Sequence, residues 1–352
     1  MSEIDILFER RGAAGLITLN RPQALNAVTH GMVLALRAQL DVWAGDPAIT
    51  RVAITAAGER AFSAGGDIRA LTELGKAGRH GAALQFWRDE YPLNAAIKNF
   101  PKPYVALIDG IVMGGGVGVS VHGSHRVAGD RFQFAMPEVG IGFFPDVGAT
   151  WFLPRMPGEL GTYCALTGER FGVADAVAAG IATHRIPSAR FAALLDGLTG
   201  TVPVDALLSA FSEPAGAGAI IARRATIDRL FAGGRVEDIL AALEREAVSG
   251  GADAEWAGKT EATMRTKSPL SLKLALAQVR RGKEWDFATC MRAEFRIVSR
   301  VIHGHDFYEG VRAVIVDKDN RPRWQPATLG EVSNAEVERH FAPLDGDELA
   351  LP

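Results

Sequence analysis

The sequence predicts an α/β protein that ends in a long helical region. Short apolar runs typical of strands alternate with helical patterns through the first half of the chain, and helical periodicity replaces almost all strand signal from about residue 162. In addition, one strand-like run passes directly into three consecutive glycines before a helical pattern begins, and a glycine pair stands before the helical pattern that follows another strand-like run. The repeating unit of the first half is therefore strand, strand, helix.

The first half contains the predicted strands and the helices between them. Strands at 4–9 and 15–20 are expected to pair across a polar hairpin turn. In chain order, the pattern then predicts a helix at 24–43, a strand at 52–56, helices at 68–74 and 81–100, a strand starting at 104, and short strands at 126–128 and 133–135. Pro101 and Pro103 end the long helix before the strand that follows it.

The second half is predominantly helical. Helical patterns cover 162–182, several alanine-rich runs between 188 and 258, and the segments 269–281, 285–301 and 303–317. No tandem repeat and no low-complexity linker separates these runs from the first half, so we expect the C-terminal region to pack on the core. The predicted division is a core at 1–186, a helical elaboration at 187–267 and a helical C-terminal region at 268–352.

Composition narrows the function classes. The 352 residues are 48% hydrophobic, enough for a well-packed core, and the net charge of −3 gives no bulk reason to expect nucleic acid or an anionic membrane as partner. The sequence has two cysteines, Cys164 and Cys290, which are too few for a disulfide framework or a cysteine-rich metal site, although the sequence allows one bridge between them. The N-terminus lacks the pattern of a secretion signal, and no apolar run reaches about 18 residues. We therefore predict a cytoplasmic protein.

Two glycine-rich junctions predict an anion site. Gly65-Gly66 and the triplet Gly114–Gly116 each stand between a strand-like run and a helical pattern. The first N–H groups of a helix have no partner within the helix, and glycine lets a ligand approach the backbone closely. N–H groups from the two junctions can converge on one oxygen. Glycines at such turns also serve plain packing, so each junction alone leaves both interpretations open.

Motifs for several other chemistries are incomplete. The dinucleotide pattern fails because Val119 stands where its sixth position needs glycine, the phosphate loop fails at Asp253, and the nucleophile elbow of serine hydrolases fails at His122. Two histidine pairs, His122 with His125 and His303 with His305, lack an accompanying carboxylate or cysteine set. We therefore predict no metal site, and surface or packing roles for these histidines.

Two acidic residues lie in strongly apolar surroundings. Glu138 and Asp146 both belong to the run FAMPEVGIGFFPDVG at Phe134–Gly148. Burial disfavours the charged form of a carboxyl group and raises its pKa, which suits proton transfer near neutral pH. Capping of a turn, or pairing with an arginine, would explain Glu138 equally well from these residues alone.

Three motifs together resemble a known family. FSAGGDI at Phe62–Ile68, the triple glycine and MPE at Met136–Glu138 are similar in order and spacing to the crotonase, or enoyl-CoA hydratase/isomerase, superfamily. This resemblance implies a spiral of ββα turns, acyl-CoA thioester substrates, and an oxyanion hole formed by the N–H groups of Gly66 and Gly115. It also implies that the stretch around Ala64 and Asp67 lines the CoA site, with CoA as part of the substrate and no separate cofactor.

Within that superfamily, the chain resembles enzymes that hydrolyse short, branched 3-hydroxyacyl-CoA thioesters such as 3-hydroxyisobutyryl-CoA, a step of valine breakdown. The segments that carry this resemblance are 89–94, 102–123, 134–148, 152–155, 165–168, 268–273 and 304–319, and the weakest coverage is 187–257. The resemblance implies that Glu138 acts as nucleophile or general base. It further implies that Asp146 orients the acyl hydroxyl or Glu138 and handles the proton for the departing thiolate, and that Glu90 binds the substrate hydroxyl.

One departure from the family argues against hydration. Hydratases of the superfamily use two glutamates, and the first of these positions is Gly118 here, twenty positions before Glu138. An isomerase that works with the later glutamate alone is the second interpretation, against which Glu90 and Asp146 argue. A scaffold that binds acyl-CoA without turnover is the non-enzyme alternative, and assembly into a homo-oligomer stays open.

Overall fold

The computed structural model describes residues 4–351, in which two sheets and the helices between them form the first half. The strands are β1 (Ile6–Arg11), β2 (Ala14–Leu19), β3 (Arg51–Ala56), β4 (Ala61–Ser63), β5 (Tyr104–Ile108), β6 (Ile111–Met113), β7 (His125–Ala128), β8 (Gln133–Ala135) and β9 (His184–Arg185). The helices of this half are α1 (His30–Gly45), α2 (Ile68–Lys76), α3 (His80–Lys98), α4 (Gly115–Gly118), α5 (Ala149–Phe152), α6 (Leu160–Thr167) and α7 (Val173–Ala178).

The strands divide between the two sheets in a regular way. The large sheet has the order β1-β2-β3-β5-β7-β9 and the small sheet the order β4-β6-β8. Except for the β1–β2 hairpin, all pairs are parallel. Each of the pairs β3/β4, β5/β6 and β7/β8 gives one strand to each sheet before the chain continues into helical structure, and this is the predicted spiral of ββα turns.

The continuous apolar pattern of the run that starts at Tyr104 suggests one strand, but the structure has two. The run breaks at Asp109-Gly110, where Gly110 adopts φ +84°, and β6 then joins the other sheet. A Cβ atom at Gly110 would lie 2.7 Å from the Arg60 carbonyl oxygen, so only glycine fits this corner. The break lets one apolar segment serve both sheets before it reaches the glycine triplet.

The predicted start of the first long helix is wrong by six residues. The apolar spacing indicates residue 24, but α1 starts at His30 because Leu25 and Asn26 adopt positive φ of 52° and 54°. Thr29 caps the helix by accepting a hydrogen bond from the Met32 N–H. The segment before the cap thus forms a turn.

The second half is helical, as predicted. Its helices are α8 (Phe191–Leu198), α9 (Val204–Phe211), α10 (Ala219–Ala222), α11 (Arg224–Leu230), α12 (Val236–Ala247), α13 (Ala254–Arg265), α14 (Pro269–Gly282), α15 (Phe287–Val301), α16 (His305–Val311) and α17 (Asn334–Phe341), with a π-helical turn at Arg312–Val316. No helix within residues 4–351 is long and apolar enough to cross a membrane.

These helices bury their apolar faces against two parts of the first half. Leu194, Leu198 and Leu208 of α8 and α9 cover the large sheet at Val105 and Val127. Helices α14 and α15 instead join the main core, where they pack against α3, α5 and α6. The division at 187 and 268 stays a prediction, and the first three residues and Pro352 lie outside the described residues.

Candidate active site

One cavity of about 630 Å³ brings together all the residues that the sequence proposes for the site. Those lining it are Ala64, Gly66, Asp67, Glu90, Gly115, Glu138 and Asp146. They come from separate parts of the fold: the β4–α2 turn, helix α3, the β6–α4 junction and the loops after β8. The spiral therefore joins segments that are distant in sequence.

The two glycine junctions meet in the wall of this cavity. A Cβ atom on Gly115 would lie 3.1 Å from the Gly66 backbone nitrogen, so the two turns are in direct contact. Gly65 at φ +119° and Gly114 at φ +45° take conformations that favour glycine. The N–H groups of Gly66 and Gly115 have no acceptor among residues 4–351. Two free donors therefore stand side by side where a ligand oxygen can reach them.

The Glu138 carboxyl group lies beside this junction. Glu138 opens a short 3-10 helix after Pro137, and only 7% of it is exposed. Its Oε2 atom has no hydrogen-bond partner in the described part of the chain, and its Oε1 atom lies 3.4 Å from where a Cβ on Gly114 would be. Burial raises its pKa well above the ordinary value, and the nearby charge of Asp146 raises it further. No arginine or lysine among the described residues pairs with it, so the arginine-pair interpretation fails.

The Glu90 carboxyl group lies against the Gly115 side of the same contact. Glu90 belongs to α3 and is 1% exposed, which excludes the solvent-exposed position that a helical glutamate usually takes. Its Oε1 atom has no hydrogen-bond partner among residues 4–351 and would lie 2.8 Å from a Cβ on Gly115. Burial raises the pKa of Glu90 well above its ordinary value, and the charges of Asp146 and Glu294 raise it further.

Asp146 is held at the cavity by a tyrosine. The Tyr91 hydroxyl donates to Asp146 Oδ2 at 3.0 Å, and both side chains are buried. Burial raises the pKa of Asp146 to about 7, against the opposing effect of this hydrogen bond. Near neutral pH the carboxyl group of Asp146 therefore gains and loses a proton easily.

Gly118 leaves no room for the second glutamate of a hydratase. A Cβ atom there would lie 2.8 Å from Asn94 Nδ2 and 2.9 Å from Val147 Cβ, and all three residues are buried. A glutamate at this position would have to displace the loop that carries Asp146. The position of the second glutamate of a hydratase therefore carries no carboxyl group here.

The cavity also has residues that sequence reasoning missed. Buried Phe86, Trp87 and Phe143 form an aromatic wall, in which the Trp87 and Phe143 rings stack at 5.6 Å. Lys267 and Arg69 line the same cavity, and the Lys267 ammonium donates to no acceptor within residues 4–351. The motif at 268–273 begins beside Lys267, but no local pattern indicates which basic residues face the cavity.

The paired histidines lie elsewhere or point away. His122 is buried against the Val147 carbonyl, and His125 lies 2.9 Å from Asp205. The ring of His303 lies 4.4 Å from that of His80 at a tilt of 39°, and His305 contacts the Arg323 carbonyl. Within residues 4–351, no three histidine, cysteine or acidic side chains form a group that could hold a metal ion. The expectation that no metal takes part in function stays a prediction.

Because the cavity carboxyl groups are buried, we expect the folding stability of the protein to fall as pH rises. Burial moves the pKa of Asp146 from 3.8 to about 7, so its contribution to folding is complete below pH 3.8 and is lost as pH rises through 7. A shift of this size corresponds to about 4 kcal/mol at most. We expect the free energy of unfolding, measured by urea denaturation, to be lower at pH 8 than at pH 5, and this difference to be smaller in Asp146→Asn. An equal loss in both proteins would contradict the assignment to Asp146.

Comparison with known proteins identifies the family of the chain. The chain matches the family described as enoyl-CoA hydratase/isomerase over residues 14–341. It is 44% identical to "3-hydroxyisobutyryl-CoA hydrolase, mitochondrial" of Danio rerio, covering 99% of this chain and 92% of that protein. The Homo sapiens protein of the same name is 41% identical, with coverages of 98% and 90%.

Two solved structures have nearly the same fold. One is the crystal structure of a protein named a carnitinyl-CoA dehydratase from Mycobacterium thermoresistibile, with a TM-score of 0.92 and 44% identity over 98% of both chains. The other is that of a protein named an enoyl-CoA hydratase from Rhodobacter sphaeroides, with a TM-score of 0.91 and 40% identity over 99% of this chain and 100% of that chain. With these matches, the fold predicted from the resemblance is confirmed, and the chain belongs to the enoyl-CoA hydratase/isomerase family.

Proposed function

We propose that this chain is an acyl-CoA thioester hydrolase that converts 3-hydroxyisobutyryl-CoA and water to 3-hydroxyisobutyrate and CoA. The observation that carries the proposal is the buried carboxyl group of Glu138, whose Oε2 atom has no partner within residues 4–351, beside two free backbone N–H groups, with Gly118 in place of a second glutamate. The names of relatives at 41–44% identity over almost the whole chain support the same reaction.

The two glycine N–H groups bind the thioester carbonyl oxygen. Donors that are already in place stabilise the negative charge that develops on this oxygen when the carbonyl carbon is attacked. The N–H groups of Gly66 and Gly115 have no competing acceptor in the described chain, so they need not break another hydrogen bond first.

Glu138 drives the cleavage in one of two ways. As a nucleophile it attacks the carbonyl carbon, the C–S bond breaks, CoA leaves as a thiolate, and water opens the resulting mixed anhydride. As a general base it takes a proton from the water that attacks directly. Either way one C–S bond is replaced by a C–O bond. Asp146 orients the acyl hydroxyl or Glu138 and handles the proton that the departing thiolate takes up, for which its pKa of about 7 is suitable.

Glu90 explains why the substrate should carry a hydroxyl group. Its buried Oε1 atom lacks a donor, which is costly unless a ligand supplies one. The hydroxyl of a 3-hydroxyacyl group is such a donor. The aromatic wall of Phe86, Trp87 and Phe143 suits a short, branched acyl group, and Lys267 and Arg69 supply positive charge for the CoA phosphates.

The predicted cytoplasmic location does not gain support from the relatives, because their names place those proteins in mitochondria. The membrane prediction agrees with the described helices to the extent that none of them could cross a bilayer. Fractionation of the cells from which the chain originates, with antibody detection, would decide between the two compartments.

Release of free CoA from a panel of acyl-CoAs tests the proposal. We expect rapid hydrolysis of 3-hydroxyisobutyryl-CoA, slower hydrolysis of isobutyryl-CoA, which lacks the hydroxyl, and no hydration of crotonyl-CoA. Substantial crotonyl-CoA hydration would favour the activity for which the Rhodobacter sphaeroides protein is named. Conversion of a 3-enoyl-CoA to its 2-enoyl isomer would favour the isomerase. Binding without any turnover would leave a scaffold.

A further inference from the structure

The loop that carries Asp146 is held in a strained conformation. Val147 adopts φ +52°, in the left-handed region where a β-branched residue is a rare outlier, and Gly148 follows at φ +89°. Val147 is fully buried. Such a conformation persists only where the surroundings hold it in place, and it is frequent at functional sites.

Glu294 holds this loop with two hydrogen bonds. Its Oε2 atom accepts from the Gly148 N–H at 2.7 Å, and its Oε1 atom accepts from the Thr150 N–H at 2.8 Å. Glu294 lies on α15 of the C-terminal region and is fully buried. A buried carboxyl group is costly unless it is hydrogen-bonded, and these two amide groups are the partners that compensate for its burial.

Two further side chains hold the carbonyl groups of the same loop. The His122 Nε2–H donates to the Val147 carbonyl at 2.7 Å, and burial lowers the pKa of His122 to about 4, so the ring is neutral at physiological pH. Gln278 of α14 donates through Nε2 to the Pro145 carbonyl. The loop is therefore fixed at successive peptide groups.

None of these three side chains lines the catalytic cavity. They cannot contact substrate there, and any effect on the reaction must pass through the loop. Asp146 is the loop residue whose carboxyl group reaches the cavity and the Tyr91 hydroxyl. Helix α15 therefore acts on the loop of Asp146 through Glu294, and α14 acts on it through Gln278.

We propose that Glu294 is a positioning residue, which fixes the Asp146 carboxyl in the cavity by accepting the N–H groups of Gly148 and Thr150. This inference rests on the proposed thioester hydrolysis. It gives the helical C-terminal region an indirect part in catalysis, because α15 supplies the acceptors that hold the loop of Asp146 in place.

Glu294→Gln tests the proposal with little change of shape. The glutamine oxygen can accept from one of the two N–H groups, while its NH₂ group faces the other donor. We expect kcat for 3-hydroxyisobutyryl-CoA to fall about 10- to 100-fold, since small displacements of catalytic groups have effects of this size. The KM should change less than about 2-fold, because the residue touches no substrate.

A double-mutant cycle separates positioning from general damage. If Glu294 acts through Asp146, Glu294→Gln should cost little more in a protein that already carries Asp146→Asn. An equal loss of kcat in both backgrounds would overturn the proposal. Ile297→Val is the matched control, because Ile297 is also fully buried on α15 and does not line the cavity. It should lower stability while leaving kcat unchanged.

Amide hydrogen exchange gives a readout that needs no turnover. The peptide covering 145–152 should exchange faster in Glu294→Gln but not in Ile297→Val at equal stability. Unchanged exchange would overturn the inference even if the wild-type protein proves inactive, whereas absence of CoA release from the wild type bears on the proposed function alone. Should Glu294→Gln fail to fold, His122→Leu removes the donor to the Val147 carbonyl, and its loss of kcat should also disappear in the Asp146→Asn background.

Discussion

Replacing Glu138 by glutamine should lower the turnover of 3-hydroxyisobutyryl-CoA by at least about 10³-fold, since the amide can serve neither as nucleophile nor as general base. The substitution preserves shape, and the Oε2 atom of Glu138 makes no hydrogen bond that the amide would lose. Binding of CoA should therefore persist. Steady-state kinetics and calorimetric titration with CoA measure the two quantities.

The stability of this variant provides the internal check. The pKa of Glu138 is raised by burial, so the wild-type carboxyl group destabilises the fold as pH rises and the group ionises. Glutamine does not ionise, and the melting temperature of Glu138→Gln at pH 8 should equal or exceed that of the wild type. Glu255→Gln makes the same change at an exposed position; it should leave the rate unchanged and lower stability only slightly, since the exposed ion pair with Lys259 that it removes contributes little. Near-wild-type turnover of Glu138→Gln would remove Glu138 from the mechanism.

Local sequence signals indicated the α/β class, the two glycine junctions and the apolar surroundings of Glu138, and the family resemblance supplied the spiral and the other expected residues of the site. The strand, strand, helix repeat reflects how each spiral turn divides its two strands between the sheets. The positive φ of Gly65 and Gly114 and the close contact at Gly115 exclude side chains, so glycine is required at these positions and is visible in the sequence. The apolar neighbours of Glu138 indicated its burial correctly.

Long-range contacts could not be predicted in the same way. Glu294 lies 146 positions after Gly148, and a glutamate in an amphipathic helical pattern is usually exposed. Its burial follows from the packing of α15 against α3 and α5, which no local pattern encodes. The position of Lys267 in the cavity likewise depends on packing between segments that are distant in sequence. The start of α1 was misplaced because apolar spacing does not register the positive φ of Leu25 and Asn26.

Gly115→Ala should reduce turnover by about 10²- to 10³-fold, the loss that follows removal of one oxyanion donor. Its Cβ atom would lie 2.8 Å from Glu90 Oε1 and 3.1 Å from the Gly66 nitrogen, so it disturbs both free N–H groups and the carboxyl group beside them. Most of the loss should appear in kcat, because the oxyanion forms only as the thioester is attacked.

A matched glycine distinguishes this effect from simple crowding. At Gly129, outside the cavity, a Cβ atom would lie 2.7 Å from Asp109 Oδ1, a similar approach to a carboxylate oxygen. Gly129→Ala should therefore lower the melting temperature about as much as Gly115→Ala and leave kcat near the wild-type value. If the two variants lose activity in parallel with stability, Gly115 is a packing glycine. If Gly115→Ala keeps full activity, the thioester oxygen binds elsewhere, because no carbonyl could occupy the Gly66–Gly115 contact with a methyl group in it.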